Sequence, residues 1–342
     1  MKLKRLLVIG ILLTTMTGCA KTLYDENKEV VKQPTTEQNL IANIVCKPNN
    51  KETIELYRET YKKKVESLDK QLKENEITKK NYEKQKSELV DVDKLVACEE
   101  FKLTSGGYEG LWTTVFVKPL TWLLLKLGSL VNNYGVSIIL ITLLLRGIMI
   151  PITRKTAIQS ENMKKAKPEL DKIEKKFAGK TDQASAMAKS QELMLVYKKY
   201  DINPVMGCVF AFIQIPLFFA FYEALSRTPL IFEGNFGPFQ LGTSPMTALL
   251  RGEFFYVLLA LFVIGTTYFS FKLNSADTVI DGDSQKQMNM MTNVMTVLIS
   301  FTAFSLSTGI ALYWIFNSGF TIIQNILVKR SKKNDRKNNN RN

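Results

Sequence analysis

The sequence contains no histidine and only four cysteines among its 342 residues. Without histidine there can be no Ser-His-Asp or Cys-His hydrolase, no His-ligated zinc site and no imidazole proton relay. Four scattered cysteines are too few for a cysteine-based zinc or iron–sulfur site. We therefore predict no metal, no cofactor and no catalytic residue, which points away from an enzyme.

Acidic residues are also in the minority, since 46 Lys and Arg stand against 32 Asp and Glu and the net charge is +14. The mean hydropathy of −0.03 resembles that of a soluble protein, but the average conceals a segregated chain. Charge is concentrated in 21–100, 154–200 and 329–342, whereas 111–150, 204–232 and 254–328 are almost free of it. The pattern predicts a basic, all-α polytopic membrane protein.

The N-terminus has the pattern of a secretory signal. Lys2, Lys4 and Arg5 precede a short apolar run, and Gly18-Cys19 resembles a bacterial lipobox. We predict a lipoprotein signal peptide over 1–18, with Cys19 lipidated and anchoring the chain to the bacterial cell membrane. The alternatives are an ordinary signal peptide with a chance cysteine, or an uncleaved anchor. Cleavage and lipidation would place the following segment outside the cell.

Residues 19–110 are predicted to form an extracytoplasmic, lipidated, helical segment. Residues 51–96 lack Gly and Pro, and two amphipathic stripes separated by a break near Asn75 predict a helical hairpin over 51–98. Cys46 and Cys98 flank this hairpin on the oxidising side, so a disulfide between them is geometrically reasonable, with two free thiols as the alternative. The role of the hairpin stays open.

Hydropathy predicts one interfacial helix followed by five spans. The apolar segment 111–131 contains Lys118, Lys126 and two tryptophans, which favours an amphipathic helix in the membrane interface, with a true span as the alternative. The core of the chain is predicted over 132–328. Its predicted spans are 135–153, 204–225, 254–272, 290–306 and 309–328, with a helical hairpin over 154–203.

The loop charges predict the orientation of these spans. Segment 154–203 and the tail 329–342 are rich in Lys and Arg, whereas loop 226–253 has only Arg227 and Arg251. By the positive-inside rule the hairpin and the basic tail are cytoplasmic and the loop is outside. Five spans that begin outside end inside, which agrees with an exported N-terminus and a cytoplasmic C-terminus.

Arg146 is the residue that argues most strongly for a function. It lies 11 residues after Gly135, roughly 16 Å into its predicted span at about 1.5 Å per residue. An arginine near mid-membrane costs about 2.5–3.5 kcal/mol on insertion scales. The predicted spans contain a single acidic residue, Glu223, near the outer end of its helix. We therefore expect Arg146 to face water or polar groups inside the bundle.

Other spans supply such polar groups. Thr142 lies one helical turn before Arg146, Gln214 and Tyr222 share a face of the second span, and the last span carries a polar stripe. The stripe and its flank contribute Tyr313, Trp314, Asn317 and Gln324. Plain interhelical hydrogen bonding is the alternative interpretation, but a hydrated, positively charged groove also accounts for the arginine.

The motifs of the core resemble the YidC/Oxa/Alb membrane insertases, particularly the lipoprotein-type members of Gram-positive bacteria. The resemblance rests on Gly135-Val136-Ser137, Leu145-Arg146, Lys198–Cys208, Gln214-Ile215-Pro216 and Ala311-Leu312-Tyr313-Trp314, in order and with compatible spacing across about 110–328. Family members often carry a glutamine near the inner end of the third span, where this chain offers only Ser270.

The resemblance implies an insertase and foldase that moves hydrophobic segments into the bilayer through a groove, independently of Sec or together with it. It implies Arg146 as the groove arginine, Trp314 as a groove-lining residue and nascent membrane proteins as substrates. The Sec translocon, the ribosome (through the tail and the cytoplasmic hairpin) and anionic lipids are the further partners that we predict. The alternative function is a transporter or channel for an anionic solute that binds at Arg146.

Overall fold

The computed structural model describes residues 20–34, 36–180, 182–203, 206–275 and 282–339. The predicted signal peptide and Cys19 therefore lie outside the described residues. The chain divides into two compact units. The first comprises Met1–Ile141, Pro216–Leu259 and Ser305–Tyr313, and the second comprises Thr142–Ile215, Ala260–Phe304 and Trp314–Asn342.

The N-terminal part of the first unit contains two helices. Helix α1 spans Lys51–Lys73 and α2 spans Lys79–Glu88. Asn50 is the N-cap of α1, because its side chain accepts a hydrogen bond from the Thr53 N–H. The two helices pack against each other, but the predicted hairpin over 51–98 is shorter than expected. After Glu88 the chain makes only the single 3₁₀ turns Val92–Lys94 and Cys98–Glu100. A disulfide joins Cys46 to Cys98, and Lys47 pairs with Ala97 in a parallel bridge. Residues 97–98 are therefore held beside residues 46–47.

A small apolar core joins this N-terminal part to the loop after the second predicted span. Short antiparallel bridges organise residues 22–41. Six buried side chains form the core: Leu23, Leu40, Ile44, Tyr57, Val92 and Phe232. Phe232 belongs to the short helix Pro229–Phe232 of the loop, so the two parts of the first unit bury apolar surface together.

A π-helical turn at Thr113–Val117 leads into α3, Lys118–Val131. The charge of Lys118 favoured an interfacial position for this segment, but in the structure its side chain is only 1% exposed. Its Nζ donates to the carbonyls of Ser105 and Gly107 and lies 3.6 Å from Glu109. This lysine is therefore bound within the first unit, and the interfacial helix stays a prediction alongside its alternative, a true span.

The remaining elements follow in chain order. They are α4 Tyr134–Ile148, α5 Ile150–Phe177, α6 Gln183–Lys199, α7 Met206–Ser226, α8 Pro229–Phe232, β1 Asn235–Phe236, β2 Phe239–Gln240, α9 Pro245–Leu250, α10 Tyr256–Ser275, α11 Gly282–Ala303 and α12 Thr308–Asn339. The two short strands pair antiparallel in one hairpin of the loop 226–253. The helical predominance confirms the all-α polytopic fold class.

Within the described residues, three helical segments are long and apolar enough to cross a membrane, namely Thr113–Val131, Tyr256–Leu273 and Thr308–Ser331. A fourth is available if α4 and α5, which meet at a 69° bend, are taken as one span. Helices α7 and α11 correspond to the second and fourth predicted spans, but many of their side chains lie outside the description. The number of five spans stays a prediction.

Two helix ends of the second unit lie at residues other than the ends of the predicted spans, and the span bounds themselves stay predictions. The span predicted over 135–153 breaks at Met149, and the first helix of the hairpin starts at Ile150 rather than near residue 154. Pro151 accounts for this, because proline is tolerated in the first turn of a helix but removes a hydrogen bond from its interior. The last helix runs on through the basic tail to Asn339, as Lys and Arg are good helix formers.

Helices α5 and α6 form the antiparallel hairpin of the second unit. Its core is a row of buried side chains, mostly on α5: Met163, Ala166, Leu170, Ile173, Phe177, Val196 and Ile202. Lys164 Nζ donates over 2.9 Å to the carbonyl of Leu273 near the end of α10. A free carbonyl at a helix C-terminus favours a cation, so this contact ties the base of the hairpin to α10.

Candidate functional site

Helix α4 carries Arg146 in its last turn, and the side chain is 2% exposed although the helix is otherwise almost entirely apolar. The cation thus lies where the helix dipole is negative, which lowers part of the cost of burying it. The helix ends two residues later at Ile148, and the chain then bends by 69° into α5. The position of the arginine is therefore set by the helix end and the proline that follows it.

Two amide side chains bind the guanidinium. Arg146 Nε donates to Asn317 Oδ1 over 2.6 Å, and a terminal nitrogen donates to Gln214 Oε1 over 3.0 Å. These residues come from α4, α12 and α7, so the network joins three helices of the second unit. An amide oxygen accepts a hydrogen bond without carrying a formal charge. These two contacts therefore satisfy N–H groups of Arg146 and leave its positive charge in place.

The polar surface continues along α12. Asn317, Ser318 and Thr321 are each 8% exposed, and the Thr321 hydroxyl donates to the Asn317 carbonyl. Further along, the Gln324 amide donates to Thr153 Oγ1 of α5 over 2.8 Å. Thr142, one turn before Arg146 on α4, is 1% exposed. The structure thus brings Thr142, Arg146, Gln214, Asn317 and Gln324 into one unit. Hydrogen bonds join Arg146 to Asn317 and Gln214, and Gln324 binds Thr153.

Trp314 belongs to the same unit and makes a contact that the sequence interpretation missed. Its indole Nε1 donates over 2.8 Å to Oγ1 of Thr267 on α10, and Thr267 is 3% exposed. Ser270, the residue that the sequence offers near the predicted inner end of that span, is also buried and lies one turn further on. The i, i+3 spacing of Thr267 and Ser270 is the signal that could have identified the polar face of α10.

Tyr222 and Tyr313 belong to the first unit. The ring of Tyr313 stacks on Phe221 with 4.3 Å between centroids, and Phe218 lies 6.3 Å from both tyrosine rings. Tyr313 is 1% exposed, and such aromatic pairs add stability beyond their buried area. These two tyrosines therefore belong to an aromatic cluster of the first unit.

Comparison with known proteins assigns the core of the chain to a family. The sequence profile of the 60Kd inner membrane protein family matches residues 126–336. That is well over half of the chain. The chain belongs to the 60Kd inner membrane protein family. The resemblance that the core motifs predicted is thereby confirmed.

Individual relatives of this family point the same way. The chain is 32% identical over 226 residues to the membrane protein insertase YidC of Oceanobacillus iheyensis, covering 65% of this chain and 85% of the relative. It is 34% identical over 221 residues to YidC 2 of Bacillus anthracis (64% and 82%) and 33% identical over 221 residues to MisCA of Bacillus subtilis (64% and 79%), both named membrane protein insertases.

The matched region of the 60Kd inner membrane protein family contains all eight predicted groove residues. Residues 20–125, with the disulfide and the first two helices, lie outside it. Within the described residues, no group of three His, Cys, Asp or Glu side chains is arranged to hold a metal ion. What the site around Arg146 offers is electrostatic: a buried cation that donates hydrogen bonds to two amide oxygens and is able to attract an anionic group.

Proposed function

We propose that this chain is a membrane protein insertase that moves hydrophobic segments of nascent membrane proteins into the bilayer. The observation that carries the proposal is the buried Arg146 held by the amides of Asn317 and Gln214. The names of the relatives support the same function. The other function considered from the sequence, an anion transporter or channel, has no support among these relatives.

The mechanism follows from desolvation. A polar peptide group costs several kcal/mol when it enters hydrocarbon without a hydrogen-bond partner. A polar surface made of Thr142, Arg146, Gln214, Asn317 and Gln324 supplies partners, so it lowers that cost for a tail that must cross. Because Arg146 is cationic, acidic tails gain more than neutral tails and basic tails gain least. The apolar segment that follows the tail needs no hydrogen-bond partners for its side chains, so it moves into lipid.

The test is an insertion assay in vesicles that contain the purified chain and a single-span test protein. Arg146→Ala is expected to reduce insertion of a test protein with two aspartates in its tail at least tenfold, since it removes the charge. Arg146→Lys keeps the charge and is expected to retain most of the activity. Equal insertion by the alanine variant and the parent would remove Arg146 from the mechanism.

The anchoring and the orientation belong to the same proposal. We propose that Cys19 is acylated after cleavage of the signal peptide, that residues 19–110 face the outside and that the α5–α6 hairpin and the basic end of α12 face the cytoplasm. The charge difference between 154–203 and 226–253 supports this orientation. Mass spectrometry of the mature N-terminus tests the first part: a peptide that begins at Met1, or an unmodified Cys19, would contradict it.

The partners are proposed on charge. The exposed cations of the hairpin and of α12 suit anionic lipid headgroups and ribosomal RNA phosphates, and an insertase that assists Sec would contact the translocon. Co-sedimentation of the purified chain with ribosomes over a salt series tests the second of these. Binding that does not fall as salt rises would contradict an electrostatic contact with RNA.

A further inference from the structure

A pocket of about 500 Å³ lies between α5 and α12 in the second unit. Six of its nine lining residues are apolar, among them Ile150 and Ile158 of α5 and Phe320 and Leu327 of α12. We call it the α5–α12 pocket. Its walls are single faces of two helices, because Ile150, Arg154 and Ile158 recur every four residues and Phe320, Gln324 and Leu327 recur every three or four.

The polar lining residues are unevenly placed. Gln324 donates to Thr153 of α5 and so holds the two helices together within the wall. Arg154 and Ser331 are both exposed, and Ser331 lies about 16 Å along α12 from Phe320 at roughly 1.5 Å per residue. The pocket is therefore apolar along most of its length and has its cation and its hydroxyl at the basic end of α12.

The surroundings of that end are strongly positive. Lys155 follows Arg154 on α5, and Lys329 and Arg330 precede Ser331 on α12, all with exposed side chains. The sequence has no Asp or Glu between residues 142 and 160 or between residues 309 and 334. The pocket thus combines an apolar trough with a local excess of positive charge, near the start of α5 and the basic part of α12.

This combination selects the ligand. A free anion would use Arg154 and Ser331 but gain nothing from six apolar residues, and a neutral lipid would leave the cation unused. A substrate helix is about 10 Å across, so a length of it that matched Ile150–Ile158 would fill roughly twice the volume of the pocket. An acyl chain is thinner, and basic pockets between membrane helices at the cytoplasmic side bind anionic headgroups.

We propose that the α5–α12 pocket binds one anionic phospholipid, with its phosphate at Arg154 and Ser331 and an acyl chain along the faces of α5 and α12. The site goes beyond the proposed insertase activity, since it concerns a resident lipid and not a transported segment. The lipid would belong to the leaflet that lies next to the start of α5 and the basic part of α12.

Fluorescence quenching of the full-length chain in vesicles tests the site. Phe320→Trp places a reporter in the pocket wall, and the signal of the otherwise identical chain with Phe320 is subtracted. The probe is phosphatidylglycerol with brominated acyl chains, titrated into phosphatidylcholine vesicles, and brominated phosphatidylcholine is the comparison. We expect the anionic probe to quench the reporter at a lower mole fraction than the neutral probe does. Equal quenching by the two would overturn the proposal.

A matched pair of charge variants separates the site from general attraction to a basic surface. Arg154→Gln is expected to raise the mole fraction for half-maximal quenching about fivefold. Lys155→Gln removes the same charge from the neighbouring exposed residue, which does not line the pocket, and is expected to shift it less than twofold. Equal shifts for the two variants would overturn the proposal.

Free glycerol 3-phosphate distinguishes a lipid from a soluble phosphate. At millimolar concentration it is expected to leave the quenching unchanged, and its displacement of the lipid probe would mean that the site recognises phosphate alone. The readout is lipid occupancy. A chain that binds the probe yet inserts no test protein would therefore contradict only the proposed function.

Discussion

Two arginines of this chain are almost equally buried but have different partners. Arg146 and Arg227 are each 2% exposed. Arg146 donates to the uncharged amides of Asn317 and Gln214, whereas Arg227 donates to a carboxylate oxygen of Glu109, lies 3.7 Å from Glu223 and donates through Nε to the Asn43 carbonyl over 2.7 Å. The two arginines therefore differ in the charge of the hydrogen-bond partners described for them.

Arg227 works as a structural tie. Its partners come from three separate parts of the chain, since Asn43 follows the N-terminal bridges, Glu109 precedes α3 and Glu223 is on α7. Trp112 Nε1 also donates to Glu223 over 2.9 Å, and the Val45 N–H donates to the Arg227 carbonyl. Carboxylates neutralise the charge of this arginine inside the first unit. Its contacts therefore hold the N-terminal segment to the loop 226–253.

Arg227→Ala is expected to have the largest effect, a loss of stability, because it removes the arginine that the carboxylates bind. Removing one partner of a buried ion pair costs about 3–5 kcal/mol, because Glu223, which is 3% exposed, stays buried without it. Thermal unfolding in detergent, followed by circular dichroism, measures the loss. Arg251→Ala is the control in the same loop: its partner Glu253 is 44% exposed, and such a surface pair contributes about 1 kcal/mol or less. Equal losses would contradict a special role for Arg227.

A second substitution would give Arg146 a carboxylate partner like those of Arg227. Asn317→Asp places a carboxylate where the amide oxygen now accepts the Arg146 Nε–H over 2.6 Å, with almost no change in shape. We expect insertion of an acidic tail to fall about tenfold because the cation is then neutralised in place, while the thermal midpoint stays close to that of the parent or rises. Gln214→Glu should act in the same direction.

The control for this prediction is the test protein itself. A neutral tail of the same length should be inserted by Asn317→Asp nearly as well as by the parent, since it gains little from the cation. If both tails lost insertion equally, the effect would be on the bundle rather than on the charge.

The same comparison shows how far sequence reasoning reaches. Arg146 and Asn317 stand out because a lone cation in an apolar run and a polar i, i+4 stripe are local patterns. The Arg227 cluster has no local pattern: Glu109 is 118 residues away, and Arg227 reads as an ordinary loop charge. The break at Met149 was missed for another reason, since hydropathy continues across it and only Pro151 marks a new helix start.

The smallest effect that we expect is a pH dependence of stability that comes from Glu233 of the first unit. Like Arg146, Glu233 is an ionisable group with uncharged hydrogen-bond partners. Its Oε2 accepts the backbone N–H groups of Asn49 and Asn50 over 3.1 and 3.3 Å, next to the start of α1. Burial raises the pKa of this carboxyl, and the two N–H groups offset only part of that rise. The folded state therefore holds the proton of Glu233 more tightly than the unfolded state does.

The direction of the pH dependence follows from that difference in proton binding. Where the folded state binds more protons, the free energy of unfolding falls as pH rises, from the ordinary glutamate range up through the raised pKa. Unfolding midpoints measured across this range should show such a component in the parent and lose it in Glu233→Gln. Glu253→Gln, which alters an exposed carboxylate of the same loop, should leave it. A carboxylate in this position thus costs stability at neutral pH, because burial disfavours its ionised form.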